Sequence, residues 1–162
     1  MPRHILAAGL IISVAYAAVH IAFADATLLT GAAPFRLSVR NYLGNVLGSG
    51  MVWGIFSYLM GKEFPGRWLK ALLAGTGIIV MMLAVHYALL MVFGVYNWRE
   101  AFEYNAQWFF LALLSGPVLG LAGAASARFC WFDYLAVLGF LLEPVVAGLV
   151  PGNSYLPRPT TI

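Results

Sequence analysis

Five long apolar stretches alternate with short polar ones along this chain, and none of them alternates residue by residue as a strand facing lipid would. Runs of about 20 apolar residues cross a hydrocarbon layer of about 30 Å as helices. The pattern therefore predicts spans over residues 5–29, 42–60, 69–95, 108–127 and 132–150. Between the third and fourth, residues 97–107 place Trp98, Phe102 and Ala106 on one helical face, with Arg99, Glu100 and Glu103 away from it. That is the pattern of a short interfacial helix. The expected fold is all-α, a single polytopic transmembrane bundle of about five spans over residues 1–162, with one interfacial helix beside it.

The first stretch has a second reading. Arg3, an apolar run and Ala22-Phe23-Ala24 look like a secretory leader with a small-residue cleavage site. Tyr16 and His20 interrupt the run, which is also long enough to span, so it is expected to stay as the first helix. Pro34 breaks the loop after it, and Pro151, Gly152, Pro157 and Pro159 make the tail unsuited to helix. Gly44, Gly48, Gly50 and Gly54 form overlapping small-xxx-small patterns, as do the glycines of Ser115–Gly123, and such residues let helices approach closely in lipid.

Composition sharpens the class. The chain is 62% hydrophobic and 9% charged, with a mean hydropathy of +0.87, whereas soluble domains are about 25% charged. Its net charge of +3 comes without a dense basic cluster, so nucleic acid is not an expected partner. Arg3, Lys62, Arg67, Lys70 and Arg128 fall on the N-terminal face, and Arg36, Arg40, Arg99 and Arg158 on the other. The excess of one favours a cytoplasmic N-terminus. Cys130 is the sole cysteine, which excludes an internal disulfide and a Cys-rich metal site. No HExxH or GxSxG occurs, so neither a metal site nor a serine nucleophile is expected.

Candidate chemistry gathers where polar groups interrupt the spans. Glu143 precedes Pro144 inside an apolar run, and a charge near a bilayer centre costs about 2.5–3.5 kcal/mol on insertion scales. Pro144 lacks an N–H, which frees a carbonyl one turn back. Counting 1.5 Å per residue along the first, third and fifth helices brings His20, His86 and Glu143 to similar depth, with Asp25 about a turn beyond His20. Each alone reads as readily as a hydrogen-bonded structural residue. Together they suggest an acid–base layer. Burial favours the neutral form of an acid, making Glu143 a proton donor to an apolar substrate, with His20 and His86 orienting it or taking the proton back and Asp25 in reserve. Tyr16, Tyr87 and Phe140 are the substrate-contacting candidates, because aromatic faces stabilise a developing cation. On this reading Glu143→Gln keeps the fold and removes activity.

The leading expectation is an acid-dependent membrane enzyme on an isoprenoid-like substrate, similar in general character to membrane terpene cyclases or isomerases, with no cofactor. Two alternatives use the same residues: a small transporter or substrate-capturing subunit whose solute path runs through this layer, and a bis-histidine haem protein with His20 and His86 as axial ligands; a structural accessory subunit of a larger membrane complex needs none of them. The expected partners are membrane lipid, an apolar small molecule and a partner membrane subunit or second copy, for which Ala18, Ala22 and Ala26 offer a small-residue surface.

Ala74-Gly75, Tyr87, Trp108 with Ser115-Gly116-Pro117-Val118-Leu119-Gly120-Leu121-Ala122-Gly123, and Leu142-Glu143 resemble the pattern of a family of uncharacterised small polytopic membrane proteins of actinobacteria. The resemblance covers the C-terminal half. It implies a multi-pass protein of a bacterial inner membrane and brings no activity with it.

Overall fold

The structure, a computed structural model, describes residues 2–23, 42–44, 46–103 and 105–146. Asp25, the loop over 31–41, Tyr104 and the tail from 147 lie outside the described residues, as does the side chain of Phe140. The described residues form helices and no strand: α1 (Arg3–Ala22), α2 (Gly50–Lys62), α3 (Trp68–Val92), α4 (Trp98–Phe102), α5 (Ala106–Ser126) and α6 (Trp131–Val146). Three stretches are long and apolar enough to cross a membrane: Arg3–Ala22, Trp68–Val92 and Trp98–Ser126, the last made of α4 and α5. The 13 residues of α2 rise only about 20 Å and the 16 of α6 about 24 Å. Among the described residues, three stretches rather than five reach spanning length.

Two elements differ from the pattern reading, each for a local reason. The helix predicted over 42–60 is broken: residues 42–44 and 46–47 are helical, but Ser49 turns extended, at φ −64° and ψ 140°. Its hydroxyl accepts from the Val52 N–H at 3.2 Å, a serine N-cap that starts α2 afresh at Gly50. The Trp53 indole N–H donates to the Leu47 carbonyl at 2.6 Å and ties the two pieces together. The interfacial helix is also shorter than 97–107, with α4 ending at Phe102 and α5 beginning at Ala106. A capping box sets its start. The Asn97 side chain accepts from the Glu100 N–H at 3.0 Å, and the Glu100 carboxylate accepts from the Asn97 N–H at 2.8 Å.

The bundle is organised on α3, against which α1, α2 and α5 all pack. Its buried face supplies Ile78, Ile79, Met82, Leu83, Tyr87 and Leu90 to the core. One end of the bundle is drawn tight by glycine. A Cβ at Gly120 would run into the Ala71 carbonyl, one at Gly61 into Gly120, and one at Gly123 into the Tyr58 carbonyl. At that end Ser57 donates to the Gly116 carbonyl at 2.8 Å, so the seam carries an interhelical hydrogen bond as well. At the other end the helices meet through larger side chains, Tyr16, Trp53, His86 and Trp108 among them, and the interior opens.

α6 lies on the outside of α2 and α5. Carboxylates fasten it at both ends. Asp133, in its first turn, accepts from the Tyr58 hydroxyl at 2.5 Å and pairs with Lys62 at 2.6 Å. Ten residues on, Glu143 accepts from the Met51 N–H at 2.9 Å. Between them Tyr134, Leu135, Val137, Leu138, Leu141 and Leu142 are exposed. So large an apolar face is rare on a monomer in water and suits lipid.

Candidate functional site

The open end of the bundle encloses a cavity of about 520 Å³, within the range of pockets that hold small ligands. α1 and α3 build its polar wall. Tyr16 and His20 are four residues apart, hence one turn apart on one face of α1, and both turn towards α3. There the Tyr16 ring stacks on the His86 imidazole, with centroids 4.3 Å apart and planes 15° from parallel. His20 meets His86 edge to face, at 5.4 Å and 71°, and lies 4.7 Å from Tyr16. Trp53 of α2 closes the cluster, its ring 6.1 Å from His86 and 6.0 Å from Tyr16. Gly48 makes room for this arrangement, since a Cβ there would sit 2.5 Å from the Tyr16 hydroxyl.

His86 is 2% exposed, and among the described residues its Nδ1 has no hydrogen-bond partner. A buried polar atom left unpaired costs about 1–3 kcal/mol, and native interiors keep few of them. Ile79, Leu83 and Leu119 line the cavity opposite this polar cluster in chemical character, and Tyr96, Asn105 and Ser115 add further hydrogen-bonding groups. Lys, Arg, Asp and Glu are absent from the described lining residues.

The structure therefore brings together His20, His86, Tyr16 and Tyr87, the last on the wall beside His86 at 5.1 Å. Glu143 stands one residue back from this space. The carboxylate sits against Gly50 and Met51, which line the cavity, and Glu143 itself is not among the described lining residues. Its oxygen satisfies one of the free N–H groups at the start of α2, where the helix dipole also favours negative charge. The missing signal was the Gly48-Ser49-Gly50 break: Ser49 marks a helix start within what reads as one apolar span, and a helix start is where an intramembrane carboxylate finds a partner. Asp25 and the Phe140 side chain lie outside the described residues.

A cap of this kind contributes about 1 kcal/mol. Glu143→Ala should lower the melting temperature in detergent by a few degrees, whereas Glu143→Gln, which keeps an acceptor oxygen, should melt close to the parent. Equal melting of all three would show that the Met51 contact does not stabilise α2.

Several wall residues were not singled out from sequence. Trp108 lines the cavity, as do Trp53, Asn105 and Ser115. Nothing in the spacing marks Trp53, because its place beside His86 depends on where α2 begins. Two imidazoles that hold one haem face each other across its iron. His20 and His86 instead meet edge to face, with Tyr16 stacked on one of them. Among the described residues, no three His, Cys, Asp or Glu side chains gather to hold a metal ion. Compared with protein-family models, with curated proteins and with solved structures, the chain matches none of them.

Proposed function

We propose that this protein is a membrane enzyme that holds a lipid-soluble, isoprenoid-like molecule in the cavity and moves protons through the His20–His86 pair. The observation that carries the reading is the cavity itself: about 520 Å³, walled by apolar and aromatic side chains, with two imidazoles in contact at one place on the wall. One imidazole, protonated, gives a proton to a substrate carbon, and its neighbour takes one from another carbon. Composition is unchanged by that exchange, so the reaction is an isomerisation or cyclisation and needs no co-reactant. The rings of Tyr16, Trp53 and Trp108 would face the positive charge that develops between the two steps. Glu143 acts as a positioning residue, holding the start of α2, and with it Met51 and Trp53, against the cavity. The setting proposed with it is a five-span, multi-pass protein of a bacterial inner membrane, with α2 and α6 counted among the spans.

Gly54 gives the direct test of the cavity. A Cβ there points at the Leu119 Cδ1 from 2.9 Å, the end of a flexible side chain, and both residues line the cavity. Gly54→Leu should therefore fill the space without disturbing the glycine seam at the other end. Native mass spectrometry of gently extracted protein should find a prenyl lipid on the parent chain and at least about tenfold less of it on Gly54→Leu. A parent chain carrying only bulk membrane lipid would overturn the reading. Release of the parent with stoichiometric partner chains would replace it with that of an accessory subunit.

A further inference from the structure

We infer that the cavity recognises a neutral oxygen-bearing ring, that of a prenylated phenol or quinone, with the ring against the Tyr16–His86 stack and the tail along the apolar wall. The inference rests on the reading of the cavity as a ligand site and adds the class of head group. Three observations lead to it.

The first is charge. No Lys, Arg, Asp or Glu is among the described lining residues, so a phosphate, carboxylate or ammonium head group would enter a low-dielectric space with no counter-ion from them. A carbonyl or hydroxyl needs only a hydrogen bond. The second is His86. It is 2% exposed, it stands on the cavity wall, and its Nδ1 has no partner among the described residues. An imidazole nitrogen donates or accepts according to tautomer, so it suits a quinone carbonyl and a phenol hydroxyl alike. The third is shape. Tyr16, Trp53 and Tyr87 set flat faces and edges around His86, their centroids 4.3 Å, 6.1 Å and 5.1 Å from it, the surroundings in which an unsaturated ring gains from offset or edge-to-face contact. From there Leu83, Ile79 and Leu119 give an apolar lining. Trp108 and Leu111, 46% and 47% exposed, carry the wall to the outer face of α5, where Phe110 and Leu114 are exposed. A tail leaves the cavity there without meeting a charged side chain among the described residues.

Quinones quench tryptophan emission, which supplies the readout. Trp68, Trp98 and Trp131 are exposed, whereas Trp53 and Trp108 line the cavity. With the three exposed tryptophans replaced by Phe in the full chain, a benzoquinone bearing a decyl tail should quench the remaining emission saturably. Decylphenol should displace it at similar concentration. Decylbenzene, with the same ring and tail but no oxygen, should need at least about tenfold more. His86→Leu should weaken quinone binding by about the same factor while leaving decylbenzene unchanged. Displacement by decylbenzene as effective as by decylphenol would overturn the head-group class. So would quenching that rises linearly without saturation, as quinone dissolved in the micelle gives. In either case a chain that still purifies with a prenyl lipid, lost in Gly54→Leu, would leave the ligand reading standing. A chain that does neither would remove both.

Discussion

Gly120→Val is expected to abolish most folded protein, the largest effect of any single substitution considered for this chain. A Cβ at Gly120 would run into the Ala71 carbonyl and stand 3.2 Å from the Gly75 Cα, so the obstruction is backbone on a neighbouring helix and not a side chain that can turn away. Relief requires α3 and α5 to move apart. Gly75 and Gly116 stand at the same crossing, where a Cβ on either would lie 2.7 Å from a backbone atom opposite, and Gly61 and Gly123 bring α2 to the other side of α5 in the same manner. Overpacking costs about 1–3 kcal/mol where neighbours can relax, and here one shift would disturb contacts among three helices. The measurement is the yield and melting of monodisperse protein in mild detergent. Gly77→Ala is the control, because a Cβ there meets nothing within 4 Å. It should be neutral or stabilise by about 0.5–1 kcal/mol, the ordinary advantage of alanine over glycine in a helix. If Gly120→Val melts like the parent, close glycine contact is not what holds this end of the bundle.

The glycine seam and the cavity differ in how far they could be read from residue order. Gly116, Gly120 and Gly123 announce close packing through spacing on one helix, a local property, and the structure uses all three. Gly48 and Gly54 carry the same spacing signal but serve the cavity, one beside Tyr16 and the other beside Leu119. Spacing states that a residue is small. It does not state whether the space beside it is filled by a backbone or left open. The depth count along α1 and α3 brought His20 to His86 because both helices start from the same face, and rise per residue is then a sound ruler. Depth alone does not say which group Glu143 bonds: its partner is the start of α2, and that start depends on a cap at Ser49 set within an apolar run. Trp53 was illegible for the same reason. Its neighbours are fixed by where one helix restarts, which only the Ser49 and Leu47 hydrogen bonds reveal.

The histidine pair is the place where loss of function should separate from loss of fold. With membranes held in D2O, the proposed proton exchange carries solvent deuterium onto carbon of the bound lipid, and the recovered lipid gains mass. His20→Gln and His86→Gln keep polar side chains at both positions but remove the imidazoles that pass the proton, so each should slow deuterium gain by about a hundredfold or more, the usual range for a general acid or base. The two variants should differ in one respect. His86 is 2% exposed, stacked on Tyr16 and in edge contact with Trp53 and Tyr87, so its replacement also disturbs packing and should lower the melting temperature. His20 is partly exposed, and its replacement should leave melting nearly unchanged. If His20 merely supports the wall, His20→Gln alters how much lipid is retained while the lipid that stays bound exchanges at the parent rate. If it transfers the proton, retention stays within about twofold and exchange falls. Parent-rate exchange in both variants would place the proton path elsewhere, whereas a fall in His86→Gln alone would leave His86 as the group in contact with substrate and His20 as its neighbour only.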